Sequence, residues 1–389
     1  MAMLRLVHIT TVPQSLFFLR GQPRFLRGEG IETLAISSAG PELGRFSEEE
    51  GVETHALEMR RAVAPLHDLG AVWRLARLLR RLRPDFVHAH TPKGGLLGMM
   101  AAALAGVPVR LYHLHGLPLV TARGVKRALL TASEKTAAAL AHRVLCVSGS
   151  VRKLALDEGL VRAEKIEVPG HGSINGIDVD VKFNPTPALR AAGLRERVRL
   201  GIPEGAPVVG YVGRLVRDKG ICELHAAWRG LRERFPAAHL LVVGPEEPQD
   251  PVPLAVLEGL RGDPRVHLVG LEWNTPPLFA AMDLLALPPY REGFGLVALE
   301  AAAMGLPCVG TDIPGCRDAI VNGVTGKLVP AQDAAALETA LAAYLSDPAL
   351  AQSHGKAGRE RAARDFRPET LWRALLAIYR AEAARAGLA

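Results

Sequence analysis

Cysteine is scarce and scattered. The 389 residues contain four, Cys146, Cys222, Cys308 and Cys316, and no two stand in a Cys-x-x-Cys pair. Neither a thiolate zinc site nor a disulfide framework is indicated, and a reducing cytoplasm is the expected location. Long apolar runs are missing too. No stretch of about 18 apolar residues is present to span a bilayer as a helix. Met1–Thr10 lacks a basic region followed by a long apolar segment, and it reads as a first strand rather than a leader peptide. Aromatics make up 5% of the chain, with no basic–aromatic platform, so nucleic acid is not an expected partner. Repeats at a solenoid period and low-complexity segments are also absent.

What is present suffices for two full cores. Hydrophobic residues make up 49% and charged residues 22%, an ordinary globular balance over a length that suits two domains. The net charge of +7 is uneven. Residues 1–180 carry 23 Lys/Arg against 17 Asp/Glu, whereas residues 181–389 carry 24 against 23. Arg74, Arg77, Arg80, Arg81 and Arg83 crowd one expected helix whose apolar positions are Trp73, Leu75, Leu78, Leu79 and Leu82. That pattern fits a solvated basic face on a docked helix. It also fits contact with anionic headgroups or a lipid diphosphate.

Short apolar runs alternate with amphipathic stretches. Expected strands are Leu4–Ile9, Thr33–Ser37, Phe86–Ala89, Val109–Tyr112 and Val144–Val147, then Val208–Val212, Leu240–Val243, Val266–Val269, Leu284–Leu287 and Cys308–Gly310. Helices are expected near Ser15–Gly28, Leu69–Leu82, Gly94–Ala105 and Lys126–Ala141. Such alternation argues for βαβ units and parallel sheets. A Pro- and Gly-rich region from Pro169 to Pro187 separates the halves, which places the boundary at 180/181 between two doubly wound α/β domains with a cleft between them. The tail Arg367–Ala386 is amphipathic, with Leu371, Leu375, Ile378 and Tyr379 on one stripe.

The densest motif lies at residues 291–311. Glu292 and Glu300 are eight positions apart, with Gly293-Phe294-Gly295-Leu296 between them opening a helix. Apolar runs on both sides read as buried parallel strands. Glu292 then falls on a loop at the C-terminal end of a strand, where open α/β sheets bind ligands. The helix N-terminus offers N–H groups to an anion, and the acids accept hydrogen bonds from hydroxyls. A sugar nucleotide matches both features. Upstream, Gly213-Arg214-Leu215 closes a strand and Asp218-Lys219-Gly220 leads into a helix at Ile221. Arg214 and Lys219 are two cations on one turn, apt for a diphosphate.

This set resembles the donor site of retaining GT-B glycosyltransferases of the GT4-like group, which includes bacterial capsular and exopolysaccharide enzymes. In that group the motif is Glu, seven residues, Glu. The resemblance covers nearly the whole chain. It implies the GT-B fold: an acceptor-binding Rossmann-like domain (1–180), a donor-binding one (181–367), and a last helix (368–389) that crosses back to the first.

The resemblance further implies residue roles. Arg214 and Lys219 neutralise the leaving diphosphate in place of a metal. Glu300 binds the ribose, Glu292 the sugar hydroxyls, and His115, followed by Gly116, the donor sugar. Gly213, Gly244, Gly293, Phe294, Gly295 and Leu296 complete the donor set. Val87–Gly95 and Tyr112–Pro118 are rich in histidine, and His-x-His on a strand puts both rings on one face. Four such histidines could suggest zinc, but no acid is interleaved and the metal reading is not favoured. His90 and Lys93 are assigned to the acceptor, and His88 and His113 to structure. Ser15 is assigned to an acceptor-facing loop that resembles the Thr-Val-Pro-x-Ser segment of the capsular subgroup, although the glycine-rich loop common at this place is missing.

Pro169–Asp178 resembles the Gly-x-Gly-Ser-x-Asn-Gly-Ile-Asp segment of polysaccharide-building members and serves as a hinge, or as backbone contacts at Gly172 and Ser173. The Asp-x-Asp of Asp178 and Asp180 is discounted as a metal motif.

The expected activity is transfer of a hexose-type sugar from a nucleotide-diphosphate sugar, a UDP-sugar favoured, to a glycan or lipid-linked saccharide acceptor. No cofactor or metal is expected. The expected place is the cytoplasm, peripherally at the inner face of the membrane. Nothing in Val243–Glu246 or Val269–Glu272, which border the crevice, tells uridine from guanosine or adenosine. Two other readings stay open: a sugar-nucleotide epimerase of the same architecture, and a non-catalytic lipid- or glycan-binding module.

Overall fold

A computed structural model describes residues 3–60, 64–247 and 250–388. They form two units: residues 1–176 with 368–389, and residues 177–367. The division falls at Gly176/Ile177, four residues before the expected boundary.

The first unit is built on a seven-stranded sheet: β1 (Leu4–Ile9), β2 (Ile31–Ser37), β3 (Glu53–Ala56), β4 (Phe86–His90), β5 (Val109–Leu114), β6 (Arg143–Cys146) and β7 (Ile166–Glu167). The order is β3-β2-β1-β4-β5-β6-β7, and every pairing is parallel. Strand β4 is buried at every position, as expected for a strand covered on both faces. Helices Pro65–Leu82 and Pro92–Ala105 pack on one side through Leu75, Leu79, Leu97 and Met99. On the other side the last helix, Pro368–Arg385, lays Leu371, Leu375, Leu376 and Tyr379 against Leu6, Phe86 and Leu111. The expected tail helix therefore completes the first core.

The second unit carries a six-stranded parallel sheet: β8 (Val208–Val212), β9 (His239–Val243), β10 (Val266–Gly270), β11 (Leu284–Leu287), β12 (Cys308–Thr311) and β13 (Gly326–Val329). Its order is β10-β9-β8-β11-β12-β13. Trp228, Tyr211 and Tyr344 anchor its core.

Both sheets reverse their winding once, at β1/β4 and at β8/β11. Beyond the carboxyl ends of strands at such a reversal, the flanking loops part and leave a crevice. The expected helix Ser15–Gly28 is in fact two pieces, a 3₁₀ segment Pro13–Leu19 and a helix Gln22–Gly28. Gly21 breaks it with φ of 80°, and its missing side chain makes room for the Trp372 ring.

Candidate functional site

The reversal in the second unit gathers the expected donor residues. After β8, a 3₁₀ turn Arg217–Lys219 leads into helix Ile221–Arg234. Gly220 joins them at φ 72°, and a Cβ there would stand 1.9 Å from the Pro288 carbonyl oxygen. Glycine thus lets the turn carrying Lys219 close onto the chain leaving β11. Lys219 Nζ lies 2.5 Å from Glu292 Oε2, across 73 residues of sequence. The main chain locks the same junction, because Tyr290 N–H donates to the Asp218 carbonyl at 2.8 Å. Arg291 adds an ion pair to Asp218 at 2.7 Å.

Arg214 pairs with Glu247 at 3.0 Å, and its carbonyl accepts from the buried Tyr211 hydroxyl at 2.9 Å. Gly213 N–H donates to Val243 at 2.9 Å, and a Cβ on Gly244 would fall 1.9 Å from the Gly213 oxygen. The ends of β8 and β9 therefore touch backbone to backbone. Both cations are held by carboxylates, so an incoming diphosphate competes with Glu292 and Glu247 for them.

Helix Leu296–Ala303 starts after Gly295, at φ 74°. Leu296 and Val297 supply its first N–H groups. Gly293 N–H turns to Glu292 Oε1 at 3.3 Å. Phe294 is among the expected donor residues, but its side chain is fully buried against Phe366, with centroids 5.4 Å apart. Only its backbone can serve a ligand. Glu300 sits on the second turn, half-buried, and burial pushes its carboxyl up to about 7 against a smaller opposing pull from Lys182.

In the first unit, histidines line one sheet face at the reversal. His8 on β1 is the register partner of His88 on β4, and His90 is the partner of His113 on β5. His115 follows β5. Rings meet in a chain: His8 Nδ1 is 2.9 Å from His90 Nε2, and His90 Nδ1 is 3.0 Å from His115 Nε2. His88 Nδ1 meets the Tyr379 hydroxyl at 2.7 Å. Burial drives His8 down to about 3 and His115 to about 4, and holds His88, His90 and His113 well below the ordinary value. All five are neutral at physiological pH.

This arrangement corrects the reading of His90. It is 3% exposed with both ring nitrogens engaged by other histidines, so it supports His115 and does not face an acceptor. His115 is half-buried under the Phe18 ring, 6.3 Å away. Lys93 forms an ion pair with Asp68 at 2.8 Å, so its charge is shared before any acceptor phosphate arrives. Ser15 is half-buried in the Pro13–Leu19 turn. Ser173 adopts φ 89° while buried, and its N–H donates to Val147 at 2.7 Å, which ties the glycine-rich segment to the end of β6. Asp178 Oδ1 accepts from the Asp180 and Val181 N–H groups, and Asp180 pairs with Arg367. The Asp-x-Asp is thus a turn. His8, Asp68 and Glu247 were missed from sequence. A histidine one residue before the end of a first strand carries no signal until that strand is paired with β4.

Comparison with known proteins follows the same division. The family model described as "Glycosyl transferase 4-like domain" matches residues 20–171, and "Glycosyl transferases group 1" matches residues 194–361. The capsular polysaccharide biosynthesis glycosyltransferase CapM of Staphylococcus aureus is 32% identical over 96% of each chain. An Escherichia coli UDP-Gal:alpha-D-GlcNAc-diphosphoundecaprenol alpha-1,3-galactosyltransferase is 29% identical over 75% of this chain and 74% of its own. Among solved structures, Anabaena HepE in complex with UDP and glucose superposes with a TM-score of 0.81 at 21% identity, over 97% of this chain and 100% of that one, in agreement with the GT-B fold. With two family models in chain order and a full-length relative at 32% identity, this chain belongs to the group 1, GT4-like glycosyltransferases and is an enzyme of that class.

Proposed function

We propose that this enzyme moves a hexose-type sugar from a nucleotide-diphosphate sugar, a UDP-sugar favoured, onto a glycan or lipid-linked saccharide during polysaccharide assembly. The anomeric configuration is retained and no metal takes part. The carrying observation is the Lys219–Glu292 pair at the β8/β11 reversal, 2.5 Å apart. A cation beside a carboxylate, on a turn closed by Gly220, supports the reading of Lys219 as the phosphate ligand and Glu292 as the hydroxyl acceptor. The full-length relative is named for capsular polysaccharide biosynthesis, and the Escherichia coli relative for a UDP-sugar donor and a diphosphoundecaprenol-linked acceptor. Both names support this choice of substrates.

In the reaction the bond from the anomeric carbon to the diphosphate oxygen breaks. The acceptor hydroxyl forms the new bond on the same face, and its proton passes to the departing phosphate oxygen. Arg214 and Lys219 stabilise the charge developing on that diphosphate. Glu300 holds the ribose and Glu292 the sugar hydroxyls. The resemblance gives His115 the donor sugar. Its neutral ring donates or accepts one hydrogen bond, and the His90 contact fixes its orientation.

The test is thermal stabilisation by nucleotide diphosphates and nucleotide sugars, with and without EDTA, paired with turnover of Lys219→Ala. A ligand that binds the folded state raises the melting temperature. The expected result is selective stabilisation by a uridine ligand, unchanged by EDTA, and a loss of about 10²–10³ in turnover for the folded variant. Wild-type turnover in Lys219→Ala would remove the diphosphate role.

Peripheral membrane contact belongs to the same proposal. Among the described residues no helix is long and apolar enough to cross a membrane. Helix Pro65–Leu82 instead exposes Leu66, Leu69 and Trp73 next to its arginines, with Arg77 over the Trp73 ring at 4.6 Å. Apolar side chains beside cations suit an anionic bilayer surface. Replacing Leu66, Leu69 and Trp73 with serine is expected to abolish co-sedimentation with anionic vesicles while sparing turnover on a soluble acceptor. Unchanged sedimentation would assign that face to ordinary solvent.

A further inference from the structure

The histidine array holds more ring nitrogens than its hydrogen bonds use. His113 is 2% exposed, and neither of its nitrogens has a partner. His115 Nδ1, His8 Nε2 and His88 Nε2 are likewise buried and unpaired. Whichever tautomer His113 adopts, it buries one unanswered N–H and one unanswered lone pair. Desolvation makes that costly, so the arrangement is unfavourable unless something engages the ring.

Two triads bring one nitrogen from each histidine within 4.8 Å of the others: His8 with His88 and His90, and His90 with His113 and His115. The first is sealed, with no member more than 3% exposed. The second includes the half-buried His115 and so has an approach from outside. A metal site needs such an entry path.

We propose that His90, His113 and His115 form a three-imidazole site for a first-row transition ion of the zinc class. Imidazole suits zinc, copper and nickel, whereas magnesium and calcium require oxygen ligands, and none is interleaved here. Tetrahedral zinc with nitrogens at about 2.0–2.1 Å separates its ligands by roughly 3.3 Å. The His90–His115 nitrogens stand at 3.0 Å already, so a small opening exchanges that hydrogen bond for two metal bonds. Three protein ligands leave the fourth position to water. His90 Nε2 keeps its contact with His8 Nδ1, which orients the ligand ring as outer partners of metal-bound histidines do.

The ion plays no part in sugar transfer. Given the proposed role of His115 in holding the donor sugar, metal on that ring withdraws it from the substrate. Zinc is then an inhibitor that a chelator removes, in an enzyme that a chelator alone leaves unharmed.

The test begins with the full chain stripped by EDTA, titrated calorimetrically with Zn²⁺ and spectroscopically with Co²⁺. One ion per chain and the intense visible absorption of tetrahedral Co²⁺ are expected. His113→Asn should weaken binding at least tenfold, while His8→Asn, which alters only the sealed triad and the outer contact, should weaken it less. If His113→Asn does not fold, X-ray absorption at the zinc edge of the wild-type chain counts the imidazole ligands, and three are expected. Absent saturable binding, unchanged affinity in folded His113→Asn, or fewer than three imidazoles would each overturn the site. Turnover is read separately. Zinc inhibition reversed by EDTA supports the link to His115, and stoichiometric zinc binding without inhibition breaks that link while leaving the site intact. An enzyme with no transferase activity would still report the metal through Co²⁺.

Discussion

At the scale of single residues, burial sets the chemistry of Glu300, the proposed ribose ligand. Glu300 is pushed up to about 7, so in the free enzyme it changes charge near neutrality. Its folded pKa lies above the unfolded one, so this residue's contribution to stability is greatest in acid and is lost as pH rises toward 7. A ribose diol reverses the preference, because two hydroxyl donors favour the ionised acceptor. Affinity for a nucleotide sugar, whose phosphodiester-like diphosphate has no ionisation in this range, should therefore rise about tenfold between pH 6 and pH 8. Glu300→Gln should flatten that profile. A flat wild-type profile by calorimetry would deny the carboxylate its ribose contact. Gly220 sets the other half of the site. Gly220→Ala combines a positive φ with a Cβ 1.9 Å from the Pro288 oxygen, a strain on the order of 1–3 kcal/mol. It should lower the melting temperature and weaken nucleotide binding together, because the displaced turn carries Lys219. A normal melting temperature with full binding would show that the turn tolerates a side chain.

Elements carry a second kind of constraint, in how closely they approach. Helix Pro92–Ala105 lies on the sheet through Gly94, Gly95 and Gly98, all buried. A Cβ on Gly95 would be 2.1 Å from the Tyr112 ring, which is fully buried and donates to Glu134 at 2.7 Å. The ring is buried and its hydroxyl tethered, so it cannot step aside cheaply. Gly95→Ala should cost about 1–3 kcal/mol, seen as a lower urea midpoint with an unchanged slope. An unchanged midpoint would mean the helix shifts freely.

Elements also show what sequence could reveal. Central strands β8 and β11 are continuous apolar runs bounded by turns, and β1 is apolar but for Arg5 and His8; the limits of all three are legible to the residue. Strands β3, β7 and β13 were missed. All three are sheet edges, β3 reads Glu-Thr-His-Ala, and β7 has two residues, so none offers a long buried run. The loop and helix start that carry Glu292 and Glu300 were legible because Glu292, Gly293, Gly295 and Glu300 are close in sequence. The Lys219–Glu292 contact and the His8–His90–His115 chain were not, since each depends on which strands become neighbours at a reversal.

At the scale of the molecule, the histidine array makes the two units respond differently to acid. His8, His88, His90, His113 and His115 all belong to the first unit, and burial depresses every one. A histidine whose folded pKa is depressed binds fewer protons folded than unfolded. Stability is then complete above the unfolded value of about 6.5 and drains away as pH falls toward the folded values, about 3 for His8 and about 4 for His115. Each such group costs on the order of 1 kcal/mol per pH unit in that window. Glu134 works the other way. Its carboxyl is pushed up to about 7 by burial, so it favours the folded unit as pH falls from 7 toward the unfolded value, but it is one group against five. The second unit also holds His225, His239, His267 and His354, lowered but less deeply buried, and its response should be shallower. Calorimetric melting between pH 7.5 and pH 5.5 should therefore show a transition that moves steeply downward and separates from one that moves little. Tyr379, whose hydroxyl meets His88 at 2.7 Å, lies in the last helix and belongs to the first unit's core, so the C-terminal helix should be lost with the early transition. Hydrogen exchange at pH 5.5 reads this directly: faster exchange in helix Pro368–Arg385 and in β1, β4 and β5, with β8, β9 and β11 still protected. Equal protection of both sheets at that pH would show that the five rings are protonated or solvated without unfolding, and that the array is not the acid-labile part of the enzyme.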